Sequence, residues 1–393
     1  MRILYVAMKY DYGRPNQGLS FEHYNFYDCL RRMGHDIVYF DFMTLMQEHG
    51  RSWMNSRLVE VAQQEKPDLM FTVLFTDEFD ASALRHVTEN VGIVTLNWFC
   101  DDHWRFEQYS RLWAPCFRWV VTTAESALPK YAQIGYPNVI KSQWACNTFL
   151  YRRMNLPMEY DVTFIGQPYG ARRTVIEQLR QAGVNVRTWG QGWDSGKVSQ
   201  DQMIRIFSTS RINLNLTAAY GSSSADGLPV SSSGRRPLRR LFEQIPFVNA
   251  LSKRATAYGQ ERSRSQCGQP PIPAAAEPAE PCTEQIKGRN FEVPGTGGFL
   301  LTQQAADLEH YYDLGREVVC FHSTQEMIEQ VRHYLTHDDE RTAIAEAGYQ
   351  RTVRDHTYQQ RFNKIFARIG LAARATPAHG ARSAVAGQTQ EVR

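Results

Sequence analysis

Short apolar, β-branched runs separated by stretches of helical periodicity constrain this chain more than any single motif does. Met1 to Met8 is such a run. Gly18 to Gly34 follows with Leu19, Phe26, Tyr27, Leu30 and Met33 at helix-like spacing, and His35 to Phe42 is the next run. The rhythm continues through a helical stretch near Trp53 to Glu65, a strand at Asp68 to Phe75, a helix near Ala81 to Glu89, and strands at Gly92 to Phe99 and Phe117 to Thr122. Strands alternating with helices predict an α/β fold built on a parallel, doubly wound sheet. Such sheets take ligands at the carboxyl ends of their strands, so Lys9 to Ser20, Thr76 to Asp80 and Cys100 to Arg105 are expected on one polar, aromatic rim.

A second cycle of the same kind begins at Asp161. Asp-Val-Thr-Phe-Ile-Gly reads as a strand ending in Gly166, Arg172 to Gly183 as a helix, Val184 to Trp189 as a strand, Gln200 to Ser210 as a helix and Arg211 to Thr217 as a strand. The expected organisation is a first Rossmann-like domain over residues 1–150, joined through Asn147 to Tyr160 to a second over 158–336. Between 218 and 284 the alternation stops in favour of serine triplets, an arginine patch (Arg235, Arg236, Arg239, Arg240) and a Pro/Ala-rich run, which predicts a disordered insertion. Residues 235–251 mix arginines with Leu238, Leu241, Phe242, Ile245, Phe247 and Val248, a pattern for peripheral membrane contact that Pro246 interrupts; a solvated or partner-binding insert fits the same residues. Afterwards come a helix near Ala306 to Tyr312, a strand at Val318 to Phe321 and a helix from Thr324 to Leu335. Residues 337–370 read as helical and as packing back on the cleft, and 371–393 as a disordered tail.

Composition narrows the function. A chain of 393 residues, 42% hydrophobic and 22% charged, suits two soluble domains. The net charge of +3 gives no global reason to bind nucleic acid. No apolar run approaches the ~20 residues of a membrane span, and the start of the chain reads as a first strand rather than a signal peptide. Seven cysteines without a Cys-x-x-Cys pair argue against a zinc ribbon or a disulfide framework and fit a reduced, cytoplasmic setting.

One segment carries most of the chemistry. From Gln285 to Thr302 a basic pair (Lys287, Arg289) precedes a carboxylate (Glu292), a glycine cluster (Gly295, Gly297, Gly298) and an apolar run. Cations and backbone amides suit phosphate oxygens, and the carboxylate suits hydroxyls. The competing account makes Glu292 an ordinary helix residue and the glycines a tight turn. Asp101-Asp102-His103 ends a strand at the expected rim, where the two aspartates are candidate catalytic carboxylates or, with the histidine, metal ligands. In the loop Tyr12 to Ser20, with Glu22 and His23 after it, Arg14 is a candidate contact and Ser20 a candidate N-cap. Trp98, Trp104 and Trp193 lie near rim loops and are candidates to stack on a sugar.

The wording of the second half resembles a known family. Lys287-Gly-Arg-Asn-Phe-Glu-Val-Pro-Gly-Thr-Gly-Gly-Phe-Leu-Leu-Thr, then Tyr312-Asp-Leu-Gly-Arg-Glu317, Tyr334-Leu-Thr-His-Asp-Asp and Arg351 to Arg361 are similar to the CgeB-like (spore maturation) glycosyltransferases, relatives of the retaining group-1 enzymes. The likeness covers residues 160–217 and 285–365, and more loosely Asn97 to Asp102 and Thr122 to Glu125. It departs at the 218–284 insertion and at Gly295-Thr-Gly-Gly, where the family carries alanine or cysteine. The resemblance implies a GT-B fold, two lobes facing a cleft, and hexosyl transfer from a UDP-, GDP- or ADP-linked sugar to a glycan, protein or small-molecule acceptor. It also implies retention of configuration, no metal and no cofactor. It assigns Glu292 to the ribose hydroxyls and Lys287 and Arg289 to the diphosphate, with Arg172 adding charge at the start of its helix. Two rivals remain: a nucleotide-sugar-binding protein without turnover, and a dinucleotide-binding dehydrogenase. The second lacks its Gly-x-Gly-x-x-Gly fingerprint, since only Gly13 and Gly18 follow the first strand.

Overall fold

The computed structural model describes residues 1–217, 285–371 and 389–391. Within them the chain builds two parallel sheets. The first has the order β12-β2-β1-β3-β4-β5-β6, from β1 (Arg2–Val6), β2 (Asp36–Phe40), β3 (Leu69–Thr72), β4 (Val94–Phe99), β5 (Trp119–Thr122), β6 (Val139–Lys141) and β12 (Thr389–Glu391). In register, Ile3 lies opposite Ile37 on one side and Leu69 on the other. The near-continuous apolar runs follow from helices covering both faces of such a sheet.

The second sheet has the order β11-β10-β9-β7-β8, from β7 (Tyr160–Ile165), β8 (Val186–Trp189), β9 (Ser210–Asn215), β10 (Leu300–Gln303) and β11 (Val319–Phe321). In each sheet the strand order reverses once, between β1 and β3 and between β7 and β9. In open parallel sheets such reversals are where the following loops splay apart and ligands bind at the carboxyl ends.

Aromatic packing joins the two sheets. Phe26 contacts Trp98 and Trp144 at ring distances of 4.9 and 6.3 Å, and the same buried cluster continues through Phe207 and Phe291 of the second lobe. Residues 337–370, expected to be helical, form two helices, Asp338–Asp355 and Tyr358–Arg368. The break is a reciprocal cap: Thr357 Oγ1 accepts from the Gln360 amide, and Gln360 Oε1 accepts from the Thr357 amide at 2.9 Å. The last helix then sets Phe362 against Phe26 and Phe71 at 5.6 and 5.8 Å, within the first lobe's core.

Three expectations change. Ala306 to Tyr312 holds only a 3-10 turn, Leu308–His310. The edge strand β6 was not foreseen, because three partly exposed residues carry little pattern. The tail, expected to lack structure, supplies Thr389–Glu391 to the open edge of β2; edge pairing uses main-chain groups and needs no apolar stripe. The expected insertion at 218–284, its 235–251 membrane stretch, and most of the tail lie outside the described residues. Among the described residues no helix is long and apolar enough to cross a membrane.

Candidate functional site

Lys287 stands just ahead of the helix Arg289–Gly295, and its position is set by buried amides. Its main-chain amide donates to Asn290 Oδ1 at 2.9 Å, which also accepts from Asn215 Nδ2 at 3.1 Å. Asn290 Nδ2 and Asn215 Nδ2 in turn donate to Thr302 Oγ1 at 3.2 and 3.1 Å. This Asn215–Asn290–Thr302 network ties the segment to β9 and β10, and a fully paired buried network holds one geometry. Sequence reading did not single it out, since asparagine in a strand carries no periodic signal.

Glu292 is wholly buried. Its Oε1 accepts from Tyr151 Oη at 2.7 Å and its Oε2 accepts from Arg289, whose guanidinium lies over the Phe207 ring at 5.4 Å. Burial alone would lower the Arg289 pKa, but the Glu292 carboxylate beside it moves it upward overall. Burial, then Glu292, pushes the Tyr151 phenol far above its usual range. Tyr151 belongs to the segment read only as a joint between lobes, where nothing in the sequence marks it.

The glycine cluster closes the other end of this helix. Gly297 (φ +76°) donates to the Pro294 carbonyl at 2.8 Å and Gly298 to the Val293 carbonyl at 3.1 Å. A Cβ on Gly295 would lie 2.3 Å from Cys146 Sγ, and one on Gly298 would lie 2.7 Å from the Phe207 carbonyl oxygen. Gly295 and Gly297, expected beside phosphate, stand in a tight, closely packed turn: the amides of Gly297 and Gly298 are engaged, and Gly295 has no room for a side chain.

The first lobe brings its own rim to Lys287. Asp101 Oδ1 lies 3.7 Å from Lys287 Nζ, so two segments almost two hundred residues apart meet across the crevice. Asp102 does not join them. It is completely buried and its Oδ2 accepts from Tyr131 Oη at 2.9 Å, which holds it inside the lobe and away from the Asp101–Lys287 pair. Burial holds its carboxyl above the ordinary range. His103 is half-buried beside the pair; burial, then the Lys287 charge, pulls it down to about 4, so its ring is neutral. Because Asp102 turns away, Asp101, Asp102 and His103 do not converge, and among the described residues no group of three metal-ligating side chains does.

Glu22 is the carboxylate that sequence reading named without giving a role. Burial pushes it up to about 6, and the charges of Asp11 and Asp101 add to the rise, which places it on the same rim. Its helix begins with Ser20 as cap, Oγ accepting from the His23 amide at 3.0 Å. A second cross-lobe pair joins Lys197 to Asp11 at 2.7 Å, and Lys197 also donates to the Gln17 carbonyl at 3.2 Å. Arg172 sits at the second lobe's own reversal point, donating to the carbonyls of Gln167 after β7 and Leu216 after β9 at 3.1 and 2.6 Å. Trp98 is core, and Trp193 is mostly buried with its Nε1 donating to the Gly166 carbonyl at 2.8 Å; Trp104 is the exposed one of the three.

This fold is similar to that of solved structures. Anabaena HepE in complex with UDP is 10% identical with a TM-score of 0.57, covering 94% of this chain and 100% of that one. A sucrose-phosphate synthase from Thermosynechococcus elongatus is 7% identical with a TM-score of 0.58, covering 95% and 100%. The fold is GT-B. A glycosyltransferase from Rickettsia africae adds a third GT-B likeness, 8% identical over 94% of this chain and 98% of that one with a TM-score of 0.54. Residues 172–245 and 274–367 of this GT-B chain match the model of a glycosyl transferase-like family. No curated protein sequence matches it.

Proposed function

We propose that this protein is a glycosyltransferase of the CgeB-like kind, moving a sugar from a nucleoside-diphosphate donor held by the second lobe to an acceptor held by the first. The observation that carries this reading is the meeting of Lys287 with Asp101 at 3.7 Å between the two rims, in a GT-B fold whose second lobe matches a glycosyl transferase-like family model. HepE has been solved with UDP and with UDP-glucose, which supports a uridine nucleotide as the first donor to try.

The chemistry follows from the charges. As the glycosidic bond to the diphosphate breaks, negative charge grows on the leaving oxygen and positive charge at the anomeric carbon. Lys287, Arg289 and Arg172 are the cations for the first, and the water-poor setting beneath them strengthens each interaction. Glu292 takes the ribose hydroxyls in this reading, with Arg289 moving off it toward the diphosphate. Asp101 lies where an acceptor hydroxyl would approach, with Glu22 and neutral His103 as its neighbours. Attack guided by the leaving phosphate on the same face retains configuration and calls on no protein nucleophile or metal.

One feature favours a second reading, a nucleotide-sugar-binding protein without turnover: Glu292 is closed off by Tyr151 and Arg289. Thermal shift against UDP, GDP, ADP and their sugars, repeated on Glu292→Ala, tests the donor site. Stabilisation of the wild type alone is expected; a wild type that no nucleotide stabilises overturns the proposal. Hydrolysis of the bound donor separates the enzyme from the silent binder.

A further inference from the structure

A cavity of about 190 Å³ opens where the end of β6 meets the last helix, lined by Lys141, Ser142, Gln143, Tyr311, Arg361 and Lys364 together with Ile140 and Ile365. None of Lys287, Arg289, Glu292 or Asp101 lines it. Its most telling member is Arg361, which is 8% exposed and has no ion pair among the described residues. The guanidinium packs between the Tyr311 and Phe291 rings at 5.5 and 6.0 Å. Its Nη2 reaches only His356 Nδ1 at 3.3 Å, and its Nε is buried without a hydrogen-bond partner. His356 Nε2 lies 2.6 Å from the Tyr311 carbonyl, which can only accept, and 3.4 Å from Arg351 Nε; with the proton on Nε2 facing the carbonyl, Nδ1 accepts from Arg361. Burial lowers that ring to about 4, in keeping with the assignment. Asp355, whose charge acts on Arg361, is taken up by Arg354 at 2.8 Å and Arg351 at 3.4 Å.

A buried guanidinium without an ion pair is costly, and an anion entering the cavity would offset that cost. The rest of the wall suits that anion. Lys141 Nζ bonds Tyr311 Oη at 3.2 Å at the cavity lip, and Lys364 is exposed one helical turn beyond Arg361. Among the described residues the three cations of this lining have one ion pair, Lys141 with Glu125 at 3.8 Å, whose side chain is 55% exposed. The surplus of about two positive charges matches a dianion rather than a single carboxylate, and the planar guanidinium fork matches phosphate oxygens.

We propose that this cavity is a phosphate-binding site, separate from the donor crevice, that takes inorganic phosphate or the terminal phosphate of a small phosphomonoester. The proposal does not depend on which nucleotide sugar the crevice holds, or on turnover. Calorimetric titration of the full chain with inorganic phosphate, phenyl phosphate and acetate tests it. One phosphate site is expected, with acetate binding at least tenfold more weakly. Tighter binding of phenyl phosphate identifies the monoester as the ligand, and equal binding identifies free phosphate. Arg361→Lys removes the fork but risks the fold, so the deciding variants are Lys364→Glu on the exposed turn and Lys141→Met at the lip. Each should weaken phosphate at least tenfold while leaving the thermal shift given by UDP unchanged. Phosphate binding that neither variant weakens, that UDP displaces, or that is absent at millimolar phosphate overturns the proposal.

Discussion

Lys287 and Gly298 belong to one short segment, yet they answer to different physics. At the amino end, Lys287 is over a third exposed and faces Asp101 across the crevice, held in place by the Asn290 side chain. At the carboxyl end, Gly298 is pressed between the Phe207 carbonyl and the Asn213 amide, with no room for a methyl group. Glu292 lies between these regimes: its charge is that of a ligand contact and its burial that of a core residue. The difference teaches that a cation–carboxylate–glycine string is two devices in sequence, one electrostatic and one steric.

The sharpest way to break this comparison is at the steric end. Gly298→Ala places a Cβ 2.7 Å from backbone, so we expect a loss of about 3 kcal/mol in urea unfolding from overpacking, with nucleotide affinity unchanged in the protein that remains folded. Altered affinity at full stability would return the glycines to the binding site. Glu292→Ala should remove nucleotide stabilisation and also cost about 2 kcal/mol, because Tyr151 and the Arg289 guanidinium lose their buried acceptor. Lys287→Ala, at a partly exposed ion pair, should change stability by about 0.5 kcal/mol or less but weaken UDP about tenfold. Equal losses in both measurements would place Lys287 with the packing residues instead.

The smallest effect is a slope with pH. Glu22 titrates near 6 in the folded chain, above its ordinary value of 4.5, so the folded state holds a proton that the unfolded chain releases. Stability from this group is therefore complete below pH 4.5 and is lost as pH rises through 6. Melting temperature measured across that window should fall less in Glu22→Gln than in wild type; identical slopes would show that Glu22 is not a buried rim carboxylate.

Much of the frame was legible along the chain. Apolar runs marked every long strand of both sheets, and the rule that ligands gather at strand ends singled out the Asp101 loop, which the structure brings to Lys287. The candidate site was legible in kind but not in detail. Asp101 and Asp102 are indistinguishable as letters, and only the packing of Tyr131 shows that one turns inward. Tyr151 gave no signal because its partner Glu292 lies far along the chain. Arg361 reads as a helix residue until the rings around it, and its lack of an ion pair among the described residues, are seen.

By itself, then, the amino-acid order determined what depends on neighbours a few residues apart: the strand and helix rhythm, two doubly wound lobes, and a basic segment with one carboxylate. Tertiary structure decided which charges face a crevice, which glycines are steric, and where an arginine stands unpaired. Each of those depends on burial and on partners distant in sequence, and burial is what turns an ordinary side chain into a site.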